Sequence, residues 1–193
     1  KIDQIEGDIW LSCTTPLKHS IYNNFTLDNE NEVGSVNQLT RLNGEWNTAN
    51  TDGIGFISAC ESVGISPNKS ILKLRGGGSA ARAIAASWAA EGGKIIPIAG
   101  KRKLTKGPWE DAIVDSGEAI ISVDLDYEKD RDFSIDMESR NKVHISYNEE
   151  YEVDDFAIIM LAAQHLEAWR NFYLPNRKND LPSLEKVLQE LAK

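Results

Sequence analysis

Gly76-Gly77-Gly78-Ser79-Ala80-Ala81 constrains this chain more than any other stretch, because of what stands on either side of it. Ser70 to Leu74 before it has the apolar spacing of a short strand. Ala80 to Glu91 after it is alanine-rich, helical in character, and stopped by Gly92-Gly93. A G-x-G-x-x-A sequence at such a junction has a mechanical meaning. The first glycine permits a tight turn, and the second lets a pyrophosphate approach the backbone. A small third position lets helix and strand pack closely, while the helix N-terminus supplies partial positive charge. Adjacent glycines elsewhere are often only a flexible loop; the strand before and helix after favour a dinucleotide site. Lys94 to Ala99, Ala119 to Val123 and Val143 to Tyr147 are further strand candidates. Strands alternating with helices point to a parallel sheet with right-handed crossovers.

An acidic residue about 20 positions beyond the turn would mark a free ribose hydroxyl. The strand ends instead in Ile98-Ala99-Gly100, followed by Lys101-Arg102-Lys103. A solvated basic loop is the ordinary explanation of such a run. At this topological position a ribose 2′-phosphate fits better, so NADP is the expected cofactor, held by Gly76, Gly78, Ala81, Lys101 and Arg102.

Upstream of the turn the pattern differs. Ile9 to Cys13 is a strand candidate broken by Thr14-Thr15-Pro16, and Lys18 to Phe25 is a helix candidate. Val33 to Leu39 and Thr40 to Trp46 are expected to form a hairpin around Asn43-Gly44. Asp52 to Val63 is apolar at helical spacing and stops at Gly64. Asp154 to Tyr173 and Ser183 to Ala192 are the last helix candidates. The expected division is residues 1–66, 67–153 and 154–193.

Composition narrows the function classes. Of 193 residues, 30 are Asp or Glu and 21 Lys or Arg, a net charge of −9 that disfavours broad nucleic-acid binding. Two cysteines are too few for a disulfide scaffold. The longest apolar run, Phe156 to Ala163, is too short for a membrane span. A cytoplasmic protein, monomeric or homodimeric, is expected. His19, His144 and His165 have no metal-ligand spacing, so no metal is expected.

Singly, the polar segments before the turn have plain explanations: Thr-Pro as a turn, Lys18 as a solvated cation, Asn50-Thr51-Asp52 as a helix cap. Their order carries more. Thr14-x-Pro16-x-Lys18, then Val36-Asn37-x-Leu39, then Asn50-Thr51-Asp52-Gly53-x-Gly55-Phe56, then the glycine turn, then Met160-Leu161-x-x-Gln164, resembles the shikimate dehydrogenase family. The resemblance runs from about Ile9 to Tyr173. It implies an α/β substrate domain, here partial, followed by a Rossmann-like NADP-binding domain with a parallel sheet. The C-terminal helices would pack back on the first domain.

The resemblance further implies reduction of 3-dehydroshikimate to shikimate. Lys18 and Asp52 fall on the catalytic pair, and Thr14, Asn37, Tyr147 and Gln164 on substrate-binding positions. The chemistry is coherent in itself, since ketone reduction needs hydride at carbon and a proton at the nascent alkoxide. A lysine ammonium can polarise the carbonyl and give that proton, with a carboxylate holding it in place. The pattern departs from the family at Ser12, at Arg75 before the turn, and at Ser122-Val123-Asp124. No Ser-x-Ser segment precedes Ile9, so either further residues lie upstream or the chain binds something else, and Lys1 in first place favours the first expectation. Two alternatives stay open: a quinate or other hydroxy-acid dehydrogenase, and a paralogue that binds nucleotide without turnover.

Overall fold

Three strands, β1 (Ile9–Ser12), β2 (Gln38–Leu42) and β3 (Glu45–Ala49), form an antiparallel sheet in the order β1-β2-β3. Asn43 and Gly44 both adopt positive φ, as a two-residue hairpin turn requires, and they reverse the chain between β2 and β3. The turn falls where the sequence places it, but the strands are shifted. β2 starts five residues after Val33, and β3 runs on to Ala49. Residues 33–37 instead lie outside the strand and carry polar groups toward the centre of the molecule. The computed structural model of the protein describes residues 4–25, 33–126, 135–145 and 155–193.

The second sheet is parallel, in the order β5-β4-β6-β7, built from β4 (Ile71–Arg75), β5 (Lys94–Ile98), β6 (Ile121–Asp124) and β7 (Asn141–His144). One isolated parallel bridge, Ile95 to Ile113, extends it beyond β5. This is the doubly wound, Rossmann-like arrangement with one outer strand reduced to a single contact. Leu72, Leu74, Ile121 and Val123 on the central strands are fully buried. Such two-sided burial explains their continuous apolar character.

Helix α1 (Leu17–Phe25) follows β1, and α2 (Asp52–Ser62) follows β3. Helices α3 (Ser79–Ala90) and α4 (Phe156–Ala168) pack on α2 from two directions. The α4 run passes into one π-helical turn, Trp169–Tyr173, and α5 (Leu184–Leu191) closes the chain. Glycines make the two crossings possible. A Cβ on Gly53 would strike the Ala83 carbonyl of α3, and one on Gly55 would strike the Gln164 backbone of α4. Phe56 of α2, Ile84 and Trp88 of α3, and Met160 of α4 belong to one hydrophobic cluster with the parallel sheet. The helical contacts thus lock the segment after β3 to the nucleotide-type sheet.

Candidate active site

Lys18 stands in the first turn of α1, and Asp52 opens α2. Lys18 Nζ donates to Asp52 Oδ2 at 2.5 Å, with the two side chains 13% and 4% exposed. A charge pair this buried is stable only if its remaining polar atoms are answered. On the carboxylate side they are: Asn37 Nδ2 donates to Asp52 Oδ1 at 2.8 Å, and Asn37 Oδ1 accepts the Thr51 N–H at 2.8 Å. Gln38 Nε2 donates to Thr51 Oγ1 at 3.2 Å. The Tyr173 hydroxyl donates to Gln38 Oε1 and also lies 3.0 Å from the Leu11 carbonyl. Burial pushes the Tyr173 pKa up to about 12, with a smaller contribution from Cys13, so the phenol stays a neutral donor. The chain of contacts runs from the π-helical turn to the Lys18 ammonium.

Lys18 and Asp52 line a cavity of about 610 Å³ that also exposes Ser12, Thr14, Gln164 and His165. Met160, Ile158, Leu125 and Ile145 form its apolar side. Gln164 is brought there by the close crossing at Gly55. Cys13 also faces the cavity; burial raises its thiol pKa, partly offset by Lys18, so the thiol form is favoured. His165 Nδ1 donates to the Leu161 carbonyl one turn back, at 2.9 Å, which leaves Nε2 as the acceptor in the neutral ring.

The glycine turn lies beside this cavity, which reaches Ala80 and Leu125. Gly76 has φ of +122°, where glycine is favoured, and Ala81 packs against it. Gly78 is the N-cap of α3, with no side chain capping the helix. Two arginines gather here. The Arg102 guanidinium stands 2.7 Å from the position a Gly78 Cβ would take, and the Lys103 carbonyl covers Gly77. Burial, then the neighbouring Arg102 charge, lower the pKa of Arg82, whose buried Nε has no hydrogen-bond partner among the described residues. An uncapped helix N-terminus flanked by two guanidinium groups fits a phosphate-bearing cofactor. Arg75 belongs to another arrangement: it is buried and pairs with Asp124 Oδ2 at 2.9 Å and Asp136 Oδ1 at 3.0 Å.

Of the sequence candidates, Thr14, Lys18, Asp52 and Gln164 share one cavity, while Asn37 stands behind Asp52 rather than on the wall. Gly76, Gly78, Ala81 and Arg102 meet at the turn. Lys101 uses its backbone N–H on Asp126. Tyr147 lies outside the described residues. Sequence reasoning missed His165, Gln38, Tyr173 and Asp126. His165 shares a helix face with Leu161 and Gln164, a spacing visible in the sequence; the other three depend on tertiary contacts.

No protein-family model matches the chain. It is 36% identical over 100 residues to shikimate dehydrogenase (NADP(+)) from Bacillus cytotoxicus, a stretch covering 51% of this chain and 35% of that protein. Over 87 residues it is 34% identical to the same enzyme from Alkaliphilus oremlandii, covering 44% of this chain and 30% of the relative. The matches thus span about a third of these relatives' length. Among solved structures, shikimate 5-dehydrogenase from Thermus thermophilus in complex with NADP(H) and shikimate aligns with a TM-score of 0.70 at 20% identity, covering 95% of this chain and 79% of that one. The 5-ketofructose reductase of a Gluconobacter strain aligns with a TM-score of 0.60 at 16% identity, covering 95% and 79%. The fold is therefore that of an α/β protein with a Rossmann-like nucleotide-binding unit. Within that class, the chain resembles the shikimate dehydrogenase family in both sequence and fold.

Proposed function

We propose that this chain is an NADP-dependent oxidoreductase that interconverts 3-dehydroshikimate and shikimate in the cavity between Lys18 and Gln164. One observation carries the assignment: a part-buried Lys18–Asp52 pair, with Asp52 held by Asn37, lines the same cavity as Gln164, beside the glycine turn. When bound, the nicotinamide supplies or takes the hydride. The protein's own residues do the rest. Asp52, fixed by Asn37, holds the Lys18 ammonium toward the cavity, where it polarises a carbonyl oxygen and gives it a proton as alkoxide character grows. In the reverse direction neutral Lys18 accepts the hydroxyl proton. Thr14 and Gln164 offer donors and acceptors to ring hydroxyls. The apolar wall keeps water from the reacting carbon.

Arg102, Arg82 and the N-terminus of α3 hold the cofactor phosphates, and Lys101 stands at the same loop. The protein acts alone or as a homodimer on a small molecule, and its net charge of −9 disfavours nucleic acid as a partner. Two buried free cysteines agree with a reducing, cytoplasmic setting. The test is a substrate panel. Purified protein with NADP+ is given shikimate, quinate and 5-ketofructose's reduced form in turn, and NADPH formation is followed by absorbance. The assignment expects shikimate to give the highest kcat/KM. Turnover of quinate alone would move the substrate to the related hydroxy acid, and NADP+ binding without turnover of any of them would favour the non-catalytic paralogue.

A further inference from the structure

The sequence places no acidic residue after Ala99, yet the folded chain brings one there. Asp126 lies two residues beyond β6. Its Oδ2 accepts the Lys101 N–H, in the loop after β5, at 2.6 Å. Its Oδ1 lies 3.8 Å from the position a Gly76 Cβ would take, and a Cβ on Gly100 would collide with the carboxylate. The carboxylate therefore reaches across the end of β4, from the β6 side of the crevice to the β5 side. A buried anchor holds it. The Asp126 N–H donates to Asp124 Oδ1 at 2.9 Å, and Asp124, itself 3% exposed, pairs with Arg75 through its other oxygen. Arg75 thus has a role the glycine-turn pattern does not explain: it secures the loop that carries Asp126.

In an open parallel sheet the ligand lies outside the carboxyl ends of the strands, and the adenosine ribose meets the end of the strand that follows the glycine-turn helix. Here that strand is β5. A carboxylate at this end accepts hydrogen bonds from the free 2′- and 3′-hydroxyls, and it repels a 2′-phosphate. The cations at the same loop act the other way: Lys101, Arg102 and Lys103 on the loop itself, and Arg82 from α3. Resting on the cofactor assignment above, we propose that Asp126 is a specificity-determining residue of the nucleotide site. It opposes the basic loop and holds the chain to a narrow preference for NADP(H) over NAD(H).

Direct binding by calorimetry tests this without turnover. NADP+ and NAD+ are titrated into wild type, Asp126→Asn and, as a charge control, Asp180→Asn on the exposed C-terminal segment. Asparagine keeps an oxygen for the Lys101 N–H, removes the charge and turns the other oxygen into an N–H donor. The expected result is that Asp126→Asn raises the ratio of NADP+ to NAD+ affinity roughly tenfold or more, with the control at the wild-type ratio. An unchanged ratio in Asp126→Asn, with both nucleotides still binding, overturns the proposal and leaves the cofactor assignment standing. An equal rise in the control assigns the effect to net charge and overturns it as well. Failure of the wild type to bind either nucleotide overturns the cofactor assignment and this proposal together.

Discussion

Around Asp52, buried polar side chains answer one another in sequence, from Tyr173 through Gln38, Thr51 and Asn37. Around Gly78, by contrast, a helix N-terminus has no side-chain cap and Arg82 keeps a buried Nε without a partner, among the described residues. The first region is complete from within the chain. The second presents the Arg82 and Arg102 guanidinium groups at an open helix N-terminus, where an added anion would be held. Enzymes gain rate when the groups acting on the reacting bond are held before substrate arrives, whereas a cofactor site has to admit and release its occupant. The contrast teaches that the two regions should respond differently to mutation: loss of chemistry in one, loss of affinity in the other.

The largest expected effect is at Lys18. Lys18→Ala should lower kcat on shikimate by roughly 10²–10⁴ while the Kd for NADP(H), from calorimetry, stays near that of the wild type. A matching loss of cofactor affinity would break the contrast. Next comes Asn37→Ala, which leaves Asp52 Oδ1 and the Thr51 N–H unanswered. A buried group left so costs about 1–3 kcal/mol, so kcat should fall by roughly ten- to a hundredfold, again with cofactor binding intact. In the other region, Arg102→Ala should weaken NADP(H) by roughly tenfold, since a hydrogen bond to a charged group contributes about 1.5–3 kcal/mol. Its kcat at saturating cofactor should barely change.

The smallest effect is on stability and depends on pH. The Tyr173 pKa is raised in the folded state from 10.0 to about 12. Its contribution is therefore fully present below pH 10 and is lost as pH rises toward 12, because the unfolded chain gives up the phenol proton first. Urea midpoints of wild type and Tyr173→Phe should differ at pH 7, with wild type higher, and converge above pH 10. A gap that stays constant across that range would remove Tyr173 from the titration.

The same contrast explains what the sequence made legible. Strand, glycine turn and alanine-rich helix are local and periodic, so the nucleotide-type sheet could be read directly. The Asn43-Gly44 turn was equally plain, whereas the strands beside it were misplaced, because the polar run 33–37 is governed by buried partners rather than by alternation. Lys18 and Asp52, which the structure pairs, were singled out through the order of motifs. Their supporting residues were not, since Gln38 and Tyr173 are 135 residues apart and nothing local links them. Asp126 was missed for a related reason: it reaches the end of β5 from the neighbouring strand, outside the window in which an acidic residue is sought. Gly53 and Gly55 stood in the motif without a reason until the crossings with α3 and α4 supplied one.

One region is built in advance and the other is completed by its ligand, and hydrogen–deuterium exchange with and without NADP+ reads both at once. Amide exchange reports local opening, so a region stabilised by ligand gains protection and a finished one does not. Adding NADP+ should slow exchange at residues 76–82 and 100–104 and leave residues 36–39 and 50–53 unchanged. Protection confined to 36–39 and 50–53, or no protection at the glycine turn under saturating NADP+, would contradict it.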